Sequence, residues 1–189
     1  NFGIPASLRQ APTCGIMDPM HSAFPTLNRP LLFAGAALAF VLSLWISDAV
    51  FHRLPVTADE RSYMLQANLF AEGSLKHPTP NHSASFRYPM IILDDASGWF
   101  SRYPPGHALW LMFGVWLGSL HGIVALAAAL GLALTGWAAG RLGGSTLAVV
   151  LALLLSPFFL LTYGTLMSHT SGFLAAAAML AAYLLWRQK

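Results

Sequence analysis

The sequence predicts an all-α polytopic membrane protein with about four transmembrane helices, plus short surface or re-entrant helices in the first outer loop. The composition is 56% hydrophobic and only 9% charged, whereas a soluble domain carries about 25% charged residues. Residues 31–47 and 142–186 contain no acidic or basic residue except histidine, and the same holds for 103–140. A polar stretch at 52–104 separates the first of these apolar runs from the others.

Residues 1–30 are predicted to form an irregular cytoplasmic N-terminal segment, because prolines recur throughout them. With 49–51 added, the uncharged run at 31–47 is long enough to cross a bilayer, which needs roughly 20 residues. A secretory signal peptide is the alternative, but the long leader and the long apolar run argue against it. Residues 31–189 are predicted to belong to one transmembrane domain.

The polar segment that follows, residues 52–105, is predicted to be an outer loop with local structure of its own. Apolar residues recur at helical spacing over 58–72, and Gly73 is a plausible helix stop. Thr57 and Glu60 have the spacing of a capping box. An amphipathic helix lying on the membrane surface fits this stretch.

The length that each apolar segment would extend as a helix decides whether it can cross a bilayer. A helix over 106–117 would extend about 18 Å, short of a bilayer core of about 30 Å, whereas one over 122–140 is about 28 Å long and can span it. Residues 142–186 would form about 68 Å of helix, so they must fold back once. The polar cluster around Ser168 and His169 is the predicted turn. The four predicted spans are therefore 31–51, 122–140, 145–162 and 170–186.

The basic residues set the predicted orientation, because they favour the cytoplasmic side in short loops. With Arg9 and Arg29 inside, four spans also leave Arg141, Arg187 and Lys189 inside. The loop at 52–105 then lies outside. A set of polar residues falls at this outer water–lipid boundary and forms one plausible site: Asp59, Glu60, Asp94, Asp95, Arg102, His107 and His169.

Two adjacent carboxylates, Asp59 and Glu60, are the most informative members of this set. A carboxylate partly shielded from water can act as a general base toward a hydroxyl, and with histidine it can hold a divalent metal. The alternative is a helix N-terminus, where acidic residues complement the helix dipole. The two interpretations are compatible, since a cap can orient a catalytic acid.

The other polar residues have ordinary explanations beside functional ones. Residues 86–99 are predicted to form a short strand pair around Asp94 and Asp95, which resemble a solvated turn. His107 at a helix entry and His169 in a turn suit contact with a phosphate or a metal, but both also suit an interfacial polar position. The formal net charge of +3 comes from few ionisable groups, so a nucleic-acid partner has little support. Cys14 is the only cysteine, which excludes an intrachain disulfide framework.

Four segments in order resemble bacterial glycosyltransferase family 39 and related GT-C membrane glycosyltransferases. They are the acidic helix at 58–73, the segment Trp99 to His107 with its Arg-Tyr-Pro-Pro-Gly-His ending, the Leu-Leu-Ser-Pro-Phe-Phe-Leu run at 154–160, and Leu-Met-Ser-His at 166–169. The resemblance covers roughly residues 30–186.

The resemblance implies a multi-pass enzyme of the bacterial inner membrane, with its active site facing the periplasm or exterior. Such an enzyme transfers a sugar, with inversion, from a polyprenyl-phosphate carrier to a lipid, glycan or protein acceptor. The acid at the position of Asp59 is the catalytic-base candidate, and Glu60 supports it. Some relatives use a divalent metal and others do not. Candidates for contacting the lipid phosphate, chosen by position, are Arg102, Tyr103, His107 and His169.

Two other function classes remain open at the sequence level. A small transporter or channel subunit with an outer cation site would predict polar groups inside the spans and an inverted repeat. A noncatalytic membrane scaffold would leave the polar loop unexplained. Full members of the resembled group have more helices, so we expect this chain to be the N-terminal part of a longer protein that carries the activity.

Overall fold

The computed structural model describes residues 28–87, 89–94 and 98–187. Within these ranges the chain is mostly helical, with a small antiparallel hairpin and a short 3-10 helix at Ser83–Phe86. The α-helices are α1 (Arg29–Ala49), α2 (Ala58–Ala71), α3 (Pro105–Trp116), α4 (Leu120–Arg141), α5 (Thr146–Leu154), α6 (Pro157–Gly164) and α7 (His169–Trp186). The strands are β1 (Ile91–Asp94) and β2 (Gly98–Ser101).

Three helices, α1, α4 and α7, are long and apolar enough to cross a membrane. The bent pair α5 and α6 would add a fourth span if it crosses as one unit. The prediction of a mostly helical chain is therefore confirmed, and the length and composition of these helices are compatible with a membrane protein. The predicted strand pair is also present, with Ile91 opposite Ser101 and Asp94 opposite Gly98.

The segment predicted as one helix over 145–162 differs from expectation, because it consists of two helices bent by 61°. The break falls at Ser156 and Pro157. Proline has no N–H for a helical hydrogen bond and its ring clashes with the preceding turn. Ser156 then caps the new helix, since its Oγ accepts a hydrogen bond from the Phe159 N–H at 3.3 Å.

The predicted irregular segment 1–30 ends slightly earlier than expected. Asn28 caps α1 by accepting the Leu31 N–H at 3.1 Å through its side chain, and Pro30 occupies the first turn, where its missing N–H costs nothing. Residues 1–27 lie outside the described residues.

Helix α2 has the boundaries that its sequence predicts. Thr57 is extended and its side chain accepts the Glu60 N–H, while Gly73 has φ +73°, a left-handed conformation that favours glycine and ends the helix. Tyr63 and Ala67 are buried. They face protein rather than only lipid, because α2 packs mainly against α3 and also contacts β2.

Helices α1 and α4 are antiparallel neighbours. Leu32, near the start of α1, lies against Gly136 late in α4, whereas the Arg53 carbonyl beyond the end of α1 lies 3.3 Å from the Nε2 of His121. We call the end that holds Arg29, Arg141 and Arg187 the arginine end, and the opposite end the acidic end. Helix α3 packs beside the start of α4, where the Trp110 Nε1 donates to the Ile123 carbonyl at 3.2 Å.

Among the described residues, four elements are collected at the acidic end of the helix bundle. Helices α2 and α3 and the hairpin lie there, together with the loop that joins α6 to α7. The buried core beneath them is built from small and aliphatic residues of α4, including Val124, Ala128 and Leu132, all 0% exposed. This close packing fixes the relative positions of the loops above it.

Gly35 of α1 tests this packing. A Cβ atom at this position would lie 2.9 Å from Val150 Cγ1 and 3.3 Å from Leu132 Cδ2, so α1 approaches both α4 and α5 closely. We expect Gly35→Val to lower the free energy of unfolding by about 1–3 kcal/mol, because overpacking forces the helices apart. Thermal unfolding in detergent measures the change.

The matched control is Gly172→Val in α7, where an added Cβ would meet no atom within 4 Å. This variant should unfold close to the wild-type temperature. Helix propensity favours valine over glycine, so equal destabilisation by both substitutions would mean that the added side chain itself, rather than the close contact of α1, determines the effect.

Candidate functional site

The N-terminus of α2 carries two carboxylates in different surroundings. Glu60 is fully buried, with 0% of its surface exposed, whereas Asp59 is half-buried. Successive residues of an α-helix point about 100° apart, so one carboxylate faces the protein interior while its neighbour faces the boundary. The candidate site is built around this division.

The Glu60 carboxylate joins α2 to the α6–α7 loop. Its Oε2 accepts the Leu166 N–H at 3.2 Å, and its Oε1 accepts the Thr57 hydroxyl at 3.2 Å. The same hydroxyl accepts the Glu60 N–H at 3.3 Å. Burial of a carboxylate is costly unless hydrogen bonds replace its water. Here two donors and the positive end of the helix dipole supply that compensation.

His107 bonds the other backbone polar group of the same residue, Leu166. Its Nε2 lies 2.8 Å from the Leu166 carbonyl oxygen, and because a carbonyl can only accept, Nε2 is the donor. The Nδ1 lies 2.9 Å from the Ser171 Oγ. Leu166 is thus fixed through its N–H by Glu60 and through its C=O by His107.

Burial lowers the pKa of His107 below its ordinary value, and the nearby His169 acts in the same direction, while the bond to the Leu166 carbonyl opposes them. The imidazole is therefore neutral at pH 7. In this tautomer Nδ1 is an acceptor that faces the Ser171 hydroxyl, whose single proton is shared between Nδ1 and the Ser168 carbonyl oxygen 3.2 Å from the Oγ. Both ring nitrogens have protein partners, so a phosphate or metal would have to displace one of them.

An aromatic layer separates the interior cluster from the boundary. Tyr63 is buried and its ring lies 4.7 Å from the His107 ring, edge to face. On its other side the Tyr103 ring lies 4.8 Å away. The three rings form a continuous series of contacts between α2 and the start of α3.

Tyr103 brings its hydroxyl to the Asp59 carboxylate. Desolvation, together with a hydrogen bond and the negative charge from Asp59, raises the pKa of Tyr103 above its ordinary value. The phenol therefore stays protonated and donates to the carboxylate. A carboxylate has several acceptor positions, so Asp59 can be oriented by Tyr103 and still accept a proton from another group.

Buried hydrogen bonds from β2 to α2 hold Tyr103 in place. The Ser101 Oγ lies 2.8 Å from the Ser62 Oγ, and the Ser101 N–H donates to the Gln66 Oε1 at 2.9 Å. The Tyr103 N–H then donates to the Ser101 Oγ at 3.1 Å. The end of the hairpin is thereby aligned with the second and third turns of α2.

The remaining predicted residues surround this centre. Arg102 is exposed, and its Nη1 donates to the Pro89 carbonyl at 3.1 Å. His169 is exposed at the start of α7 and lies edge to face with Phe158, with ring centroids 6.0 Å apart. The backbone carbonyl of Asp94 accepts the Thr79 hydroxyl at 2.8 Å. Asp95 lies outside the described residues.

Sequence reasoning missed several members of the cluster. Tyr63 follows Asp59 by four residues on the same helix, so its position beside the site could have been inferred from helical spacing. Ser101, Ser171 and the Leu166 peptide carry no local signal, because they meet the site only through contacts distant in sequence. Within the described residues, no group of three or more His, Cys, Asp or Glu side chains is arranged to hold a metal ion.

Comparison with known proteins adds no assignment. A scan against models of protein families finds no match, and searches of the curated proteins and of the solved structures find none either. The functional interpretation therefore depends on the residues and contacts described above.

Glu60→Ala should remove the acceptor for the Leu166 N–H and leave that group buried without a partner. We expect a loss of about 1–3 kcal/mol in the free energy of unfolding. Glu60→Gln keeps an acceptor oxygen at the same place and should retain most of the stability. Chemical unfolding of the two variants in one detergent compares them, and an equal loss in both would contradict the hydrogen-bond account.

His107 should make stability depend on pH. Its folded-state pKa lies below the unfolded value of about 6.5, so the unfolded state binds more protons and stability is lost as pH falls below about 6.5. His107→Gln, which removes the titration, should show a smaller drop in unfolding temperature between about pH 7.5 and about pH 5.5.

The control for this measurement is His82→Gln, since His82 is exposed. It should leave the pH dependence of unfolding unchanged. If His107→Gln keeps the full wild-type slope, another group is responsible for it.

Proposed function

We propose that this chain is part of a GT-C type membrane glycosyltransferase. The enzyme would transfer a sugar from a polyprenyl-phosphate carrier to an acceptor hydroxyl on a lipid, glycan or protein, with inversion at the anomeric carbon. The observation that supports the proposal is that the two acids of α2 have different surroundings. Glu60 is buried and hydrogen-bonded, which leaves the neighbouring Asp59 at the boundary beside Tyr103.

Asp59 is the general base in this proposal. The acceptor hydroxyl attacks the anomeric carbon, a new glycosidic C–O bond forms, and its proton passes to the Asp59 carboxylate. The bond from the anomeric carbon to the carrier phosphate breaks at the same time, and its electron pair leaves with the phosphate. Tyr103 orients the carboxylate, while Glu60 and Thr57 fix the helix turn that presents it.

Arg102 is the candidate group for the departing phosphate. It directly precedes Tyr103 in the chain, and its guanidinium has more donors than the one used by the Pro89 carbonyl. A guanidinium can contact two phosphate oxygens at once and stabilise the developing charge. His169, which is exposed, is a second candidate for contacting the phosphate. His107 is not a candidate, because its Nε2 is bonded to the Leu166 carbonyl oxygen. No step is assigned to a divalent metal, because the described acids and histidines do not form a three-ligand set.

The topology that accompanies this proposal has four spans: α1, α4, the bent pair α5–α6, and α7. Helix α3, with 12 residues, would extend about 18 Å and would remain at the membrane surface. Arg29, Arg141 and Arg187 share one end of the bundle, and the preference of basic residues for the cytoplasm would orient that end inward. The acidic end would then face the periplasm or exterior of a bacterial inner membrane.

A transporter or channel subunit with a cation site has less support. Both Glu60 oxygens face hydrogen-bond donors, the Leu166 N–H and the Thr57 hydroxyl, whereas a cation needs acceptor oxygens directed at it. A scaffold would not require Glu60 to be buried at the cost that this entails. Neither alternative accounts for the Asp59–Tyr103 pair.

The test is sugar transfer by membranes that contain the full-length protein, supplied with polyprenyl-phosphate sugars. Asp59→Asn keeps the size of the side chain and its capping ability but removes the base, so transfer should fall by about 10²–10⁴-fold. Expression and unfolding temperature should stay near wild type.

Glu72→Gln is the matched control, because Glu72 caps the other end of α2 and is exposed. It should keep full activity. Full activity of Asp59→Asn would reduce the two acids of α2 to a helix cap, and lack of transfer by the wild-type protein from every donor would contradict the glycosyltransferase proposal.

A further inference from the structure

A groove of about 480 Å³ runs along the contact between α1 and α4 near the arginine end, far from the acidic cluster. Apart from one arginine, its walls are apolar or aromatic, and Phe33 is 76% exposed within it. The lining residues are Arg29, Leu32, Phe33, Leu130, Ala133, Leu134 and Trp137.

The groove follows one stripe on each helix. On α4 the lining positions 130, 133, 134 and 137 are three or four residues apart, which is the spacing of a single helix face. Arg141 continues this stripe by one further turn, and its guanidinium lies 5.3 Å from the centre of the Trp137 ring. The groove is thus apolar along its length, with Arg29 and Arg141 at the same end.

The dimensions match one leaflet of a bilayer. The stripe from 130 to 141 extends about 16 Å along α4, and half of a bilayer core is about 15 Å. Since α1 and α4 are both long and apolar enough to cross a membrane, the groove opens toward lipid at the depth of the acyl chains. Arg29 and Arg141 would then lie at the level of the lipid headgroups.

Among the described residues, the charged side chains at this end are all arginines. Within the described residues, the acids lie at the other end of the bundle or in its loops, and neither Arg29 nor Arg141 has a carboxylate within ion-pair distance. A second copy of the chain would bring a like-charged surface to the same place. A phosphate diester with an acyl chain instead complements both the arginines and the apolar walls.

We propose that this groove binds one anionic phospholipid, with an acyl chain along the α1–α4 stripe and the phosphate between Arg29 and Arg141. The site is separate from the acidic cluster and does not depend on the proposed sugar transfer. It would fix the spacing of α1 and α4 where Gly136 allows Leu32 to pack closely. The expected ligand class is any anionic glycerophospholipid, because the described lining residues include no polar side chain other than Arg29 to read the headgroup.

The probes are phosphatidylglycerol and phosphatidylcholine with identical acyl chains, added to the purified protein in detergent. Native mass spectrometry counts bound lipids, and titration gives the affinity ratio between the two. Wild type should bind one phosphatidylglycerol in preference to phosphatidylcholine. Each of Arg29→Gln and Arg141→Gln should reduce this preference about fivefold, the effect of about 1 kcal/mol per arginine.

Arg187→Gln is the matched control, since Arg187 lies at the same end but beside Tyr183 on α7, outside the groove. It should keep the wild-type preference. Ala133→Phe should fill the groove without changing charge, and should weaken binding of both lipids together. Each of these readouts is a ratio or a stoichiometry, so a modest loss of stability does not obscure it.

Three outcomes would overturn the proposal. Equal binding of both lipids by wild type would remove the charge selectivity. An equal loss of preference in Arg187→Gln would mean that the net charge of the arginine end, rather than the groove, attracts the lipid. Unchanged binding in Ala133→Phe would show that no acyl chain occupies the groove.

Discussion

The burial of the Glu60 carboxylate is the constraint on which the acidic end depends. A fully buried acid must have its hydrogen bonds supplied by protein, and here the main partner is the Leu166 N–H, which lies in the loop between two apolar helices. His107 fixes the carbonyl of the same residue. The backbone of one residue, Leu166, thus joins α2, α3 and the α6–α7 loop, which are distant in sequence. The helix bundle determines where these elements begin, and the contacts of Glu60 and His107 with Leu166 determine how they pack together.

The positions of Asp59 and Tyr103 follow from the contact between Glu60 and Leu166. Because Glu60 turns inward, Asp59 turns toward Tyr103, and the Tyr63 ring lies between the interior histidine and the boundary tyrosine. The hairpin aligns Tyr103 through Ser101. An acid that is half-buried and held by a neutral phenol is arranged as a proton acceptor rather than as one half of an ion pair. The proposal of hydroxyl activation depends on this arrangement rather than on any single residue.

The sequence predicts the helices well because their signals are local. Uncharged length gives α1, α4 and α7, and the Thr57–Glu60 cap with Gly73 gives both ends of α2. The bend at Ser156 and Pro157 was also visible in the sequence, but length alone favoured one continuous helix. The site was predicted only in part: Asp59, Glu60, Tyr103 and His107 do lie together. Their arrangement was not predictable, because it depends on the backbone of Leu166 and on burial. Neither of these is encoded in the local sequence pattern.

A double-mutant cycle between Glu60 and His107 tests most directly whether the backbone of Leu166 holds the acidic end together. The two side chains contact opposite sides of Leu166, so Glu60→Ala and His107→Ala should not be additive. The account predicts that the free energy of unfolding of the double variant departs from the sum of the single losses by at least about 0.5 kcal/mol. Additive losses, within about 0.3 kcal/mol, would mean that the two residues act independently and would contradict the account.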